Sequence, residues 1–584
     1  MRVLCIGAGA SGLVTAKVLR SRGHEVSIVE GGTAIGGTFE NKAYKDARMV
    51  SSKHLTLFSD FRRPDAEMHL SLVDYVVYLR EYSTHFALDD LIRFETRVMG
   101  VQKGANGEYL VKMQSPGKEP WEEGWDAVAV CSGLHNVARV PRFPGQEEFQ
   151  GEIMHSAEYK DPEVFRDRKV LIVGTGETAF DLGYAAATHG AESVTMSTRH
   201  GFVSVPACLG EKLPPLDCVI MNFATHAWES RWAQRVGMHW WVTTKFTRLG
   251  FLLTTGCSYG FNQWVGCRYN MTWDEGRKHI VNKSSKCMPL LTRRAKKQAP
   301  WWKRFLYSTW DAPVSDVGLD IDLVEGSIMS IDKEAVNYET RSGSRRVDAN
   351  LIMLATGYRQ LFPFLSINGD AKAKGTDDPL PAEHFILNPE EPRLAYIGFI
   401  RPNVGAIPPM AEMQAMWWCE KLEDKMKGPI SELDQACYRL KDSRLSYGVD
   451  YGYYMFALAR EMGSVPSLLY WLFRSPRIFT TCAFGQAHVP IFRLQGPFRD
   501  PEAEKTCQHE LFDVILSRPL VMNTVFVIEA ACFGVINLFA ALLERSSTRL
   551  KLSVGLGGLL VLLSRRPHYG ALAHGALAQL PAWA

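Results

Sequence analysis

A chain of 584 residues, 46% apolar and 22% charged, is too long for one ordinary core and has the composition of a folded protein of two or more domains. Its net charge of only +3 gives no global attraction to nucleic acid, which is not expected as a partner. Twelve cysteines without a C-x-x-C pair exclude a zinc ribbon or a dithiol site, so no metal is expected and a reduced compartment fits best. The run at residues 3–6 is too short for a secretory signal, so the sequons at Asn270 and Asn282 are expected to stay unmodified.

Residues 3–6 read as a buried strand, followed at once by Gly7-Ala8-Gly9-Ala10-Ser11-Gly12 and a helical pattern reaching Arg22. A second strand, Glu25–Val29, ends at Glu30, 18 positions past the last glycine. This is G-x-G-x-x-G in a complete βαβ context. Gly7 permits the tight turn, Gly9 lets a pyrophosphate approach, and Gly12 allows close helix packing, with Ser11 at the helix N-terminus that faces the phosphates. The Glu30 carboxylate accepts from ribose hydroxyls and repels a 2′-phosphate, so this site should take FAD or NAD.

Residues 125–133 read as a buried strand ending in the Gly133 turn, with Cys131 as a small core residue. Residues 149–159 then carry Phe149, Gly151, His155 and Tyr159 in the spacing F-x-G-x-x-x-H-x-x-x-Y. A second nucleotide unit follows: strand Lys169–Val173, the loop Gly174-Thr175-Gly176-Glu177-Thr178-Ala179, a helix over 178–189 and a strand over 193–197. Gly174, Gly176, Thr178 and Ala179 form the phosphate turn, with alanine an allowed third residue. No carboxylate ends the last strand, and Arg199 can pair with a 2′-phosphate, which selects NADPH; a solvated arginine on the edge of the unit is the alternative. Two unlike nucleotide sites imply hydride transfer from NADPH to FAD. Disulfide reductases also carry two, but no redox cysteine pair lies between Cys5 and Cys131.

The F-x-G-x-x-x-H-x-x-x-Y stretch resembles the fingerprint of the flavin-containing monooxygenases, and the likeness extends over nearly all of residues 1–510. Gly36-Gly37-Thr38-Phe39 is similar to that family's G-G-x-W/F, residues 50–53 to N-[ST]-S-K, residues 58–61 to F-x-D-F, and residues 355–358 to A-T-G-Y. Residues 405–414 resemble the segment that closes over the flavin ring, with a helix beginning near Pro409 whose positive end would face reduced flavin. The resemblance adds Gly37, Thr38, Ser51, Gly133 and Gln414 to the FAD site. It offers Ser51, Lys53 and His155 as catalytic candidates, with His155 expected to hold a linker between moving domains. Two residues depart from the family: Val50 stands in place of an asparagine beside the reactive ring, and Met416 in place of an arginine.

The expected fold is α/β: two Rossmann-type dinucleotide-binding domains, one for FAD and one for NADPH, with a largely helical insert and an apolar helical C-terminal tail. The expected divisions are 1–160 for the first part of the FAD domain, 161–345 for the NADPH domain with a Trp-rich insert at about 202–310, 346–510 for the closing part, and 511–584 for the tail. Basic residues and tryptophans interleaved over 293–304 suit a solvated face first, then a headgroup layer, with single-stranded nucleic acid as the other reading. Residues 520–543 are long enough to insert in a membrane, although a charged Glu529 would cost roughly 2.5–3.5 kcal/mol. A membrane-associating tail is expected, at the cytosolic face of an intracellular membrane, the endoplasmic reticulum first; a soluble cap on a cytoplasmic protein is the alternative.

The resemblance implies an NADPH-dependent monooxygenase that forms a C4a-(hydro)peroxyflavin and passes one oxygen of O₂ to a small organic substrate. N- or S-oxygenation comes first, because Tyr159 stands where the Baeyer–Villiger group usually has tryptophan. Alternatives are Baeyer–Villiger or hydroxylating carbon oxygenation of an aromatic or polyketide ketone or lactone in secondary metabolism, and a non-catalytic flavin-binding membrane protein. A homo-oligomer stays open.

Overall fold

The structure, a computed structural model, describes residues 1–199, 201–204, 214–219, 281–283, 286–287, 290–291, 318–365, 377–426, 432–440 and 445–545. Most of the Trp-rich insert, all of the basic stretch at 293–304 and the tail beyond residue 545 therefore lie outside the described residues.

Two parallel-centred sheets carry the chain. The first runs Leu387–Asn388, Glu391–Tyr396, Ala127–Val130, Arg2–Ile6, Glu25–Val29 and Ile92–Arg93. Its inner strands pair in parallel, and Arg2–Ile6 sits between Glu25–Val29 and Ala127–Val130. A strand enclosed in this way has to be apolar on both faces, and Val3, Leu4 and Cys5 have no exposed surface. The second sheet runs Gly343–Asp348, Ala335–Thr340, Ile321–Ile331, Ser193–Thr198, Lys169–Val173, Leu351–Leu354 and Glu152–His155. The expected strand Glu25–Val29 and the expected strand Lys169–Val173 are both observed with those bounds.

Two short strands complete the second sheet. Glu152–His155 pairs in parallel with Leu351–Leu354, which pairs with Lys169–Val173, so both belong to the second sheet. The crossings themselves are zipped together: Val137–Ala138 on the outward chain pairs antiparallel with Tyr358–Arg359 on the return. The two linkers therefore form a small ribbon between the nucleotide units.

The helix expected near Pro409 spans Ile407–Leu422 and is buried almost all round, with Trp417 and Trp418 at zero exposure. Pro408 and Pro409 occupy its first turn, where a missing N–H is harmless. It packs against the helix Ala10–Ser21 that follows the first glycine loop, so sequence-distant residues close the first unit.

The tail begins as the helix Leu520–Arg545. Among the described residues no helix is long and apolar enough to cross a membrane, and the expected membrane-associating tail gains no support from this helix. Glu529, Phe533 and Asn537 recur every fourth residue and are all buried, so they make the inward side of the helix. Val527, Val535, Leu538 and Leu542 are left exposed.

Candidate functional site

The first glycine loop has the geometry of a phosphate turn. Gly7 has φ +112°, and a Cβ there would lie 2.8 Å from the Cys131 carbonyl oxygen. Gly12 is more constrained, since its Cβ would lie 1.8 Å from the Gly7 oxygen. Gly9 is the N-cap of the helix and offers no side-chain acceptor, so the first-turn N–H groups stay open to an anion. Glu30 orders the loop: one carboxylate oxygen accepts the Ala8 N–H and the other the Gly32 N–H, each at 2.8 Å.

Four further predicted residues gather here. A Cβ on Gly37, which has φ +56°, would lie 3.2 Å from the Gly9 Cα, and one on Gly133 would lie 3.9 Å from the Thr38 hydroxyl. Ser11 faces Gly398, whose added Cβ would lie 2.2 Å from the Ser11 hydroxyl. The result is a backbone-lined cradle above a helix N-terminus, with a carboxylate at its ribose end. These residues fit the ADP half of FAD. Cys131 is buried beneath the loop, and burial pushes its thiol up to about 12, as a core cysteine requires.

The second loop repeats the turn. Gly174 has φ +124°, with a Cβ position 2.4 Å from the Ala355 oxygen, and nothing lies within 4 Å of a Cβ on Gly176. Gly176 caps the helix Glu177–Thr188 without a side-chain bond, Thr178 lies in its first turn, and Ala179 is fully buried where the first loop needs glycine. Arg199 is exposed just past the strand Ser193–Thr198 and holds no ion pair among the described residues. These residues fit the pyrophosphate and 2′-phosphate of NADPH.

Between the loops lies a buried polar junction. The Ser51 hydroxyl donates to the Gly405 carbonyl at 3.3 Å, immediately before the Ile407–Leu422 helix. Lys283 donates its ammonium to the Ser51 hydroxyl and, at 3.0 Å, to the same Gly405 carbonyl. Asp217 accepts the Ser52 N–H at 2.7 Å. Glu177 pairs with Arg401 at 2.9 Å; burial raises its carboxyl, but Arg401 and Lys283 outweigh that and hold it below its ordinary range. Lys283, Asp217 and Arg401 are functional candidates that sequence reasoning missed. The first two fall in the insert, where no motif or periodicity marks them. Asn282, in the sequon, is buried and donates to the Thr175 carbonyl at 3.3 Å.

The remaining predicted residues stand around this junction. Lys53 points away and caps the Pro64 and Ala66 carbonyls. Gln414 is fully buried; its oxygen accepts the Gly398 N–H and its amide donates to Tyr454, both at 2.8 Å, so it braces the Gly398 turn beside Ser11. His155 accepts the Ala157 N–H at Nδ1 (3.0 Å) and faces the Gly357 carbonyl through Nε2 (3.1 Å), which makes Nε2 the donor of a neutral ring. Burial lowers its pKa, consistent with that form. Tyr159 packs on Phe165 and Tyr44 in the core of the second unit, clear of the junction.

Comparison with known proteins bears on the family and the fold. The model of the FMO-like family, described as flavin-binding monooxygenase-like, matches residues 1–248 and 315–545. The chain is 32% identical over 590 residues to monooxygenase PC-14 of Penicillium crustosum, covering 94% of this chain and 98% of that relative. Flavin-containing monooxygenase 5 of Oryctolagus cuniculus is 29% identical over 533 residues, with 86% and 91% covered. Among solved structures, the S-allyl-L-cysteine S-oxygenase of Allium sativum has a TM-score of 0.53 at 19% identity, covering 88% of this chain and 98% of that one. That likeness is one of fold.

Proposed function

The chain belongs to the FMO-like family of flavin-binding monooxygenases, enzymes that use FAD and NADPH, and from that premise we propose that it transfers one oxygen atom from O₂ to a soft nitrogen or sulfur of a small substrate. The observation that carries this reading is a pair of equivalent phosphate turns joined by a two-stranded ribbon, one ending in Glu30 and the other in Arg199. FAD lies on Gly7, Gly9, Ser11 and Gly12 with its ribose at Glu30. NADPH lies on Gly174, Gly176 and Thr178 with its 2′-phosphate at Arg199. Reduced flavin supplies the oxygen activation, which is the cofactor's own chemistry.

The protein's part is placement and exclusion of water. Ala406 gives the Ile407–Leu422 helix no side-chain cap, so its positive end, where Pro408 and Pro409 carry no N–H and the Ile407 N–H remains, would favour negative charge at the flavin ring. Gln414, Tyr454 and Gly398 hold that helix against Ser11. The buried Ser51 lines the same end.

A second reading, carbon oxygenation next to a ketone carbonyl, is favoured by one observation: Val50 leaves the position before Ser51 without a donor, while a buried lysine stands at Ser51 instead.

The deciding experiment records the flavin spectrum of the expressed chain, adds NADPH or NADH without oxygen, then admits oxygen with thioethers, tertiary amines and ketones in turn. Bleaching by NADPH and oxygenation of the thioether or amine are expected. Failure to bleach sinks the monooxygenase reading, and oxidation of ketones alone moves it to the second.

We also propose that the exposed side of the Leu520–Arg545 helix rests on the cytosolic surface of an intracellular membrane, the endoplasmic reticulum first. Val527, Val535, Leu538, Phe539 and Leu542 supply the apolar contact. Co-flotation with liposomes that is unchanged on truncation after Arg518 would remove this claim.

A further inference from the structure

We infer that Lys283 is the flavin-site cation, the residue through which the NADPH unit supplies the edge of the flavin ring with a hydrogen-bond donor and positive charge that Val50 cannot give. The inference rests on the proposed placement of FAD on the first glycine loop, and it assigns this work to a residue outside every nucleotide-binding motif of the chain.

Lys283 touches both nucleotide units. The strand just before it, Val281–Asn282, pairs with Val203–Ser204. Asn282 holds the Thr175 carbonyl, and the Lys283 backbone N–H bonds the Glu177 carboxylate, so the residue's main chain is fixed to the second phosphate turn. Its side chain reaches the other way, to Ser51 and the Gly405 carbonyl beside the Ile407–Leu422 helix N-terminus. Helix end and ammonium therefore concentrate positive potential at one place, directly after the Val50 position.

The ammonium is unusually placed for a structural lysine. It is only 3% exposed, and both of its hydrogen-bond acceptors are neutral. No carboxylate lies within ion-pair distance of it among the described residues, and its third proton has no partner among them. A buried cation without a contacting counterion is costly. Burial accordingly lowers the lysine, Asp217 and Glu177 pull it back up, Arg401 lowers it further and Cys218 raises it; His69 faces the same charge. An anionic reduced flavin would supply the missing counter-charge, which gives a reason for a lysine at this point.

The test compares the full-length, flavin-loaded wild type with Lys283→Met, Lys283→Gln and Lys283→Arg, measuring flavin content, NADP⁺ dissociation constant and midpoint potential by dye equilibration. Loss of the charge should disfavour reduced flavin about tenfold, ~30 mV for a two-electron couple. The methionine and glutamine variants should both fall by this amount, and the arginine variant should keep most of the potential. The gap between wild type and Lys283→Gln should close as pH rises through the lowered lysine pKa, because the wild-type group is charged only below it. Should Lys283→Met fail to load flavin, Lys283→Gln, which keeps the size and a donor, carries the comparison. Wild-type potential and wild-type NADP⁺ affinity in a flavin-loaded, uncharged variant would overturn the inference. Absence of flavin from the wild type, or no bleaching of it by NADPH, would instead defeat the function proposed above.

Discussion

In the first nucleotide unit the leading glycine has φ +112° and its helix is capped by Gly9 at φ −81°; in the second the leading glycine has φ +124° and Gly176 caps at φ −79°. The two turns also meet the same obstacle, a carbonyl from the neighbouring strand end, at Cys131 in one and Ala355 in the other. They part at the third small residue and at the ribose end. Gly12 has no room for a Cβ, whereas Ala179 carries one in a packed core. Glu30 is spent on two loop N–H groups, whereas Arg199 is exposed. Backbone sterics thus account for what the two turns share, and the proposed choice between dinucleotides rests on single side chains.

The sharpest way to break this equivalence is at the third position. Gly12→Ala places a methyl on the Gly7 carbonyl, a backbone atom that cannot swing aside, at a cost of about 3 kcal/mol or more. Most of the bound flavin should be lost, read as the ratio of flavin to protein absorbance. Ala179→Gly in the second unit should cost only ~1 kcal/mol and keep its nucleotide. Equal losses in the two variants would show that the turns are not held differently.

The first unit also has a clamp whose strength depends on pH. Glu412, on the Ile407–Leu422 helix, accepts the Ser59 N–H at 3.1 Å and the Ser59 hydroxyl, beside Asp60, Lys17 and Arg493. Burial, with Asp60 adding to it, pushes Glu412 up to about 7 against Arg493. A carboxyl raised in the folded state binds its proton more tightly there, so its contribution is complete below the unfolded pKa of about 4.3 and is lost as pH rises to about 7. Asp60 is shifted the other way, Lys17 and Arg493 outweighing its burial, and acts below that window. Stability to urea should fall by at most about 3 kcal/mol between pH 5 and 8, and Glu412→Gln should flatten the profile. A slope that survives the substitution would remove Glu412 as its source.

At the ribose end, Arg199→Ala should raise the KM for NADPH about 10–100-fold, leave NADH use nearly unchanged and leave flavin content untouched, since about 1.5–3 kcal/mol is typical of a charged hydrogen bond. Glu30→Ala should do the converse, weakening flavin retention without changing the preference between the two nucleotides. A steady-state comparison of both nucleotides separates these outcomes.

Much of this contrast was legible in the sequence because it is local. The strands Glu25–Val29 and Lys169–Val173 are short apolar runs stopped by a charge or a glycine, and each was readable to the residue. What escaped was long-range pairing. Glu152–His155 carries no mark of its sheet, because its partner Leu351–Leu354 lies some two hundred residues away. The same holds for the ribbon of Val137–Ala138 with Tyr358–Arg359, and for Lys283, whose importance comes from Ser51 and Glu177. At Gln414 the sequence indicated the neighbourhood of the cofactor, but the bracing role is visible only once Gly398 and Tyr454 are placed.

The smallest expected effect tests how the two units are coupled. His155 ends a strand of the second sheet, and its Nε2 faces the Gly357 carbonyl, which also accepts the Arg139 N–H from the other linker. Its ring meets Tyr358 edge-on, with centroids 5.5 Å apart. One imidazole therefore fastens both crossings where they leave the second unit, and neither nitrogen is free for a substrate proton. His155→Ala should cost about 1–2 kcal/mol of stability through the lost hydrogen bonds. Flavin reduction should slow, or peroxide should leak during turnover, because the units are then held less firmly, while substrate KM stays as in the wild type. A raised substrate KM with normal reduction would be the opposite pattern, and it would return His155 from the linker to the substrate site.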